Sequence, residues 1–200
     1  DLSFPSIVGI TSLTFGSILT ATDGNFLIAF ALASSLGMFA GLINGLLVTK
    51  IGIPSIVATI GTLYFWRGLV NVVSQGKGVA IVDVADGTWH HALFVEKLFD
   101  KIPAQFIWFI VLTGLMQWVY RYHKFGNHIH FVGDNKASSQ MMGINVDNVK
   151  IIAFVQLGFF SALAGIFTMY EMLYFWPTQG SGLMLTTLAA VFVGGTSVFG

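Results

Sequence analysis

Long runs of apolar residues with almost no charged side chains limit this chain to one kind of fold. An α-helix rises about 1.5 Å per residue, so about 20 apolar residues cross the hydrocarbon core of a bilayer. Five such runs and the start of a sixth cover residues 2–22, 26–49, 53–75, 102–120, 151–170 (continuing to 176) and 183–200. The pattern predicts an all-α, polytopic bundle of transmembrane helices with about six spans.

The composition excludes most other classes of protein. Hydrophobic residues make up 55% of the 200 residues and charged residues 9%, against about 25% charged residues in a typical soluble domain. So few charges could not cover the surface of a soluble protein of this size, whereas lipid solvates an apolar exterior. The net charge is zero, so there is no basic field to attract nucleic acid. Without cysteine, disulfides and cysteine metal sites are excluded.

The chain is expected to form a single membrane-spanning domain, residues 1–200, because no charged linker or low-complexity stretch divides it. It starts at Asp1 and stops inside an apolar run. We therefore expect a piece of a larger membrane domain, truncated at both ends.

Loop charges give the expected orientation, because loops on the cytoplasmic side of a membrane carry more lysine and arginine. Residues 121–150 and the flanking Lys50 supply five basic residues, whereas residues 76–103 supply three, together with four acids. This modest bias places loop 121–150 in the cytoplasm and loop 76–103 on the periplasmic side.

The chain lacks the motifs of an enzyme. It has no G-x-x-x-x-G-K-[ST] phosphate loop, no H-E-x-x-H and no G-x-S-x-G. His128 and His130 are two residues apart, and His90 and His91 are adjacent, so neither pair has the helical i, i+4 spacing of a zinc site. Solvated loop histidines are favoured over metal ligands, and no metal or other cofactor is expected in this chain.

Small residues recur every four positions in the second apolar run, at Ala33, Gly37, Gly41 and Gly45. Such a stripe lets a neighbouring helix backbone approach closely in lipid. Asn44 lies beside the stripe and needs a hydrogen-bond partner. Tight helix packing is the favoured interpretation of the stripe, and a role for Asn44 in lining a pathway stays open.

The third run contains the one clear charge in the middle of a span. Arg67 and Asn71 lie one helical turn apart. A charge within the membrane is costly and faces protein or water, or snorkels to the interface. Snorkelling or structural pairing is favoured for Arg67, with a role in transport as the alternative. The candidate residues of a translocation pathway are Asn44, Thr62, Arg67 and Asn71.

Loop 121–150 contains the signals of a short helix. Asp134 or Asn135 can cap its start and Gly143 can end it. Ala137 and Met141 share one face of this two-turn helix, with Met142 beside them. The helix is too short to fold alone, so it needs a docking surface. Lipid headgroups and a groove on a cytoplasmic partner are equally compatible with the residues.

Four stretches of the chain resemble one family of membrane proteins, the permease subunits of sugar-type ABC importers in the ribose/xylose/galactose group. Residues 126–144, followed by Asn145-Val146-Asp147 and Lys150-Ile151, are similar to the coupling loop of that family. The other three stretches are Asp1-Leu2-Ser3, residues 41–49 continuing through Ile53-Pro54 and 58–62 to Arg67-Gly68, and residues 188–197. The order and spacing match over nearly the whole chain.

The resemblance implies a permease of about ten helices in a bacterial inner membrane. It would pair with a second permease subunit, receive a monosaccharide or similar polyhydroxylated solute from a periplasmic sugar-binding protein, and rest on two cytoplasmic ATPase subunits that hold the ATP and Mg²⁺. The residues that the resemblance assigns to ATPase coupling are Gly133, Asn135, Ala137, Met141, Met142, Gly143 and Ile144.

The chain departs from the family pattern at two places. Many relatives carry a Glu-Leu-Asp stretch where this chain has Met184-Leu185-Thr186, and the opening Asp-Leu-Ser-Val-Gly here reads Asp1-Leu-Ser-Phe-Pro5. The resemblance therefore does not choose among a pentose, a hexose, a polyol and an autoinducer sugar. The alternative function is a secondary transporter or channel without an ATPase, which intramembrane Asp, Glu or His relays would favour; the spans have almost none.

Overall fold

The computed structural model describes residues 1–98 and 101–195, and it confirms the predicted all-α class. The helices are α1 Phe4–Ala21, α2 Phe26–Leu46 with a π-helical continuation Leu47–Ile51, α3 Ser55–Ser74, α4 Val82–Ala85, α5 Trp89–Val95, α6 Ala104–Tyr122, α7 Lys124–Asp134, α8 Lys136–Met141, α9 Val146–Met172 and α10 Leu183–Val193. Four two-residue strands form two antiparallel pairs: β1 Val79–Ala80 with β4 Tyr174–Phe175, and β2 Lys97–Leu98 with β3 Ile102–Pro103.

Four of the described helices are long and apolar enough to cross a membrane: α1, α2 with its π-helical end, α3 and α9. The predicted fourth span is the 19-residue helix α6, but Gln105, Gln117 and Arg121 make it less apolar than those four. The predicted sixth span begins at Leu183 as α10, which runs for 11 residues to Val193. Residues 196–200 of that span lie outside the described part of the chain.

Helix α1 occupies the centre of the bundle. It is 67% buried, compared with 28–39% for the other three candidate spans. Its side chains Ile7, Phe15 and Leu19 are buried in one apolar core with residues of α2, α3 and α9. Pro5 stands in its first turn, where a missing N–H costs nothing.

Loop 76–103 folds back onto the end of the bundle where α9 finishes. Strand β1 pairs with β4, so Val79 lies opposite Phe175. Helix α5 is capped by the Thr88 side chain, which accepts a hydrogen bond from the His91 N–H. Its Phe94 enters an aromatic cluster with Tyr170 and Trp108. The described part of this loop therefore packs as an integral part of the fold.

His90 is buried in the same cluster, so its interpretation as a solvated loop histidine is wrong. The residue is 3% exposed, and its ring stacks on Phe26 with the centroids 5.4 Å apart. Its Nδ1 lies 2.8 Å from the Tyr170 hydroxyl and 2.9 Å from Thr88 Oγ1. Burial, together with the neighbouring His91, lowers the pKa of His90, and a hydrogen bond with the backbone of Gly24 opposes that shift.

The docking of α5 should therefore weaken in acid. A histidine with a lowered pKa stabilises the docked state above its ordinary pKa of about 6.5, and that stability is lost as pH falls through the lowered value. Amide protection factors in α5, measured by hydrogen exchange, should fall between pH 7 and pH 5, and they should fall less in His90→Gln. The other titratable groups facing this site are His91, Asp86 and Tyr170. His91→Gln should keep most of the fall in protection, because burial is the larger cause of the lowered pKa of His90 and His91 the smaller. An equal fall in the parent and in His90→Gln would contradict the assignment.

Candidate functional site

The small-residue stripe of α2 lies against α9. Ala33, Gly37, Gly41 and Gly45 are all buried. A Cβ at Gly37 would lie 2.8 Å from the Cβ of Ala162, one at Gly45 would lie 3.0 Å from the Cα of Ile151, and one at Gly41 would overlap the carbonyl oxygen of Phe154. On the facing helix, a Cβ at Gly158 would overlap the carbonyl oxygen of Gly37. The two backbones thus cross at a distance that larger side chains would not permit.

Asn44 is the centre of a buried hydrogen-bond network, here named the polar junction, that joins α1, α2 and α3. Its Nδ2 donates to Asp1 Oδ2 (2.8 Å) and to Ser3 Oγ (2.7 Å), and its Oδ1 accepts from Thr62 Oγ1 (2.7 Å). The Leu2 N–H donates to Thr59 Oγ1 at 3.0 Å. Every polar atom of the Asn44 amide side chain is therefore engaged by protein, which gives the residue a structural role in this arrangement.

The four candidate pathway residues do not converge. Asn44 and Thr62 meet in the polar junction, Arg67 lies further along α3 with different partners, and Asn71 is exposed on α3. Asp1, Ser3 and Thr59 also belong to the junction, although they were not among the residues predicted for a site. The sequence did mark these residues. They are polar residues in or beside the first and third apolar runs, and they lie within stretches that resemble the permease family.

Arg67 pairs with backbone carbonyls rather than with an acid. Its Nη1 donates to the carbonyl oxygens of Gln179 (2.8 Å) and Pro177 (3.1 Å), and its Nη2 lies 3.5 Å from the carbonyl oxygen of Pro5. The guanidinium group is thus turned into the bundle, toward the chain that connects α9 to α10. The sequence left three roles open for Arg67: snorkelling, structural pairing and a role in transport. This geometry matches structural pairing.

At the opposite end of the bundle, loop 121–150 forms two helices where the sequence analysis expected one. Helix α8 begins after Asn135, whose Oδ1 accepts from the Ser138 N–H at 3.1 Å, and the chain leaves it through Gly143 at a φ of +79°. Helix α7 was missed, although Phe125, Ile129 and Val132 have the spacing of one helix face. A Cβ at Gly126 would overlap the carbonyl oxygen of Tyr120, so the close reversal from α6 into α7 depends on this glycine.

Helix α7, the turn that follows α8 and the start of α9 share a small core of their own. Val132, Val146 and Val149 are buried together, with Phe125, Ile129 and Ile144 packed against them. An ion pair links this unit to the end of α2, since Lys50 Nζ lies 3.1 Å from Asp147 Oδ2. The short helix α8 is therefore held by a folded unit and does not hang from a flexible loop.

The residues assigned to ATPase coupling divide between this core and the outer surface. Ile144 faces the core and Asn135 caps α8, whereas Met141 is 89% and Met142 61% exposed. Gly133, Ala137 and Gly143 are also exposed. Ser139 is buried, and because successive helical residues turn by 100°, Ala137 and Met141 lie on the side opposite to it. They form an exposed apolar tip on α8, hereafter the α8 tip.

The bundle has several long apolar helices. The described part of loop 76–103 lies at one end of it, and the short helix α8 with its apolar tip lies at the other. This arrangement defines a multi-pass membrane protein. Comparison with known sequences gives the class: residues 1–200 match the family described as branched-chain amino acid transport system / permease component. The chain belongs to this family, and the resemblance to importer permeases is confirmed at that level.

Several curated relatives share a more specific name, Autoinducer 2 import system permease protein LsrC. The protein of Yersinia pseudotuberculosis serotype O:3 (strain YPIII) is 36% identical over 202 residues, covering 100% of this chain and 55% of the relative. That of Photorhabdus luminescens is 34% identical over 201 residues, covering 100% and 59%. The chain thus spans somewhat more than half the length of these relatives. No solved structure matches it.

Proposed function

We propose that the chain belongs to a permease subunit of an ABC importer. The subunit moves a small polyhydroxylated solute into the cytoplasm, and ATP with Mg²⁺ is bound and hydrolysed on separate ATPase subunits. The α8 tip carries this proposal, because it offers exposed apolar side chains on a folded unit that is continuous with α6 and α9. A groove on a cytoplasmic partner fits such a tip, and any tilt of it must reach the membrane helices.

Neutral solutes suit the interior better than ions do. Within the described spans, the Arg67 guanidinium and the Asn44 amide are engaged by protein groups, and Lys50 and Asp147 pair with each other. These groups are therefore already occupied and do not form a site for an ionic solute. A sugar or related polyol is the proposed solute class. Autoinducer 2, which the relatives are named for, is the first solute to test.

An uptake screen tests the solute class. Cells that carry the full-length permease, its ATPase and its periplasmic binding protein should take up autoinducer 2 or a monosaccharide, and unlabelled polyols should compete. Leucine is the contrasting solute in this screen, since the family description names branched-chain amino acids. Uptake of leucine alone would overturn the proposed solute class.

The proposed orientation places α8 in the cytoplasm and α4 in the periplasm of the inner membrane. Ser138 and Asp83 are exposed at opposite ends of the bundle, whereas Ser139 is 1% exposed and unsuitable as a label site. In intact cells, a membrane-impermeant thiol reagent should label Asp83→Cys at once and Ser138→Cys only after the membrane is opened. Labelling of Ser138→Cys from outside would reverse the orientation.

A further inference from the structure

The chain between α9 and α10 re-enters the bundle without forming a helix. Strand β4 lies beside β1 at the end of the bundle where α9 finishes. A few residues later, a Cβ at Gly9 would lie 3.0 Å from the carbonyl oxygen of Gln179, and one at Gly180 would overlap the carbonyl oxygen of Pro5. Gly180 thus lies beside Pro5, near the start of α1. Because a helix rises about 1.5 Å per residue, Pro5 is about 24 Å from the Ala21 end of α1. Residues 176–182 are hereafter the re-entrant segment.

Non-helical backbone at this depth needs polar partners from the protein, since hydrocarbon supplies none. Arg67 supplies them by donating to the carbonyl oxygens of Pro177 and Gln179. The Gln179 side chain, itself 1% exposed, donates from Nε2 to Ser12 Oγ (3.0 Å). Ser12 Oγ in turn donates to the carbonyl oxygen of Gly165 (2.7 Å). Helices α1, α3 and α9 thus hold one short segment through a continuous chain of hydrogen bonds.

We propose that Arg67 is a positioning residue for transport: it holds the re-entrant segment and thereby fixes the depth at which α10 begins. This inference rests on the proposed function for its transport consequence, but its structural part stands without it. Arginine suits the role because its planar group directs Nη1 at two carbonyl oxygens while Nη2 lies 3.5 Å from a third, that of Pro5, and because it keeps its charge in a poorly solvated place. The compact ammonium group of a lysine would replace this fork incompletely.

The test uses the full-length protein, freed of any cysteines and spin-labelled at Ser181→Cys and Ser35→Cys, which are exposed positions on the re-entrant segment and on α2. The distance distribution between the labels should be narrow in the parent, clearly broader in Arg67→Gln, and intermediate in Arg67→Lys. Initial uptake should fall at least tenfold in Arg67→Gln while the ATPase still copurifies. Lys77→Gln, which removes an exposed cation just after α3, should match the parent in both measurements.

A distance distribution in Arg67→Gln that matches the parent would overturn the proposal. If Arg67→Gln does not yield folded protein, Arg67→Lys decides, since a parent-like distribution and uptake in that variant would equally overturn it. A parent that transports no sugar would count against the proposed function alone, because the distance measurement does not depend on a solute.

Discussion

Replacing Gly41 with leucine should lower the free energy of unfolding by about 3 kcal/mol or more, and most of the protein should fail to assemble. The reason is local: even a Cβ at Gly41 would overlap the carbonyl oxygen of Phe154. A backbone atom cannot move aside as a flexible side chain can, so α2 and α9 would have to separate. Separation would also open the contacts of Gly37 and Gly45 with the same helix.

Gly114→Leu is the matched control for this substitution. Gly114 lies in α6 with open space where a Cβ would stand, and leucine there should gain about 1 kcal/mol of helix propensity. Thermal unfolding in detergent and size-exclusion profiles of the two full-length variants would compare them directly. Equal stability of Gly41→Leu and Gly114→Leu would show that the α2–α9 crossing is not the close contact described here.

Ala137→Glu should abolish solute-stimulated ATP hydrolysis while the permease stays folded and inserted. Ala137 is exposed in this chain, so a glutamate there costs the free permease little. If the α8 tip docks in a dry groove, the same glutamate buries an unpaired charge, at a cost of about 3–5 kcal/mol. That cost corresponds to a loss of at least a hundredfold in affinity for the ATPase.

Two further substitutions isolate the docking face. Ala137→Ser adds little volume and should keep activity near that of the parent. Asn127→Glu adds the same charge at an exposed position of α7, about two turns before that helix ends at Asp134, so its effect should be small. Copurification of the ATPase with each variant is the measurement. Undiminished copurification and transport in Ala137→Glu would mean that α8 rests on the membrane surface.

The main helices could be predicted from the sequence because the bilayer imposes a length on each apolar run. The π-helical end of α2 at Leu47–Ile51 and the early start of α9 at Val146 shift the boundaries by a few residues without changing the pattern. The stripe from Ala33 to Gly45 could also be read, since small residues at a spacing of four have few other uses in lipid.

The rest depends on contacts between distant residues. Nothing near His90 in the sequence shows that Phe26 and Tyr170 will enclose its ring. The re-entrant segment reads as an ordinary turn, because its partner Arg67 lies 112 positions before Gln179 in the chain. Helix α7 is a different case. Its apolar residues have the spacing of a helix face in the sequence, but the polar residues between them obscured that pattern.

Uptake into proteoliposomes tests most directly whether this chain works in an ATP-driven importer. The full-length permease would be reconstituted with its ATPase and binding protein, with nucleotide supplied only on the side that carries α8. If the importer is driven by ATP, solute should accumulate with ATP and not with ADP or a non-hydrolysable analogue. Equal accumulation with ADP would contradict ATP-driven import and would indicate a secondary transporter or a channel.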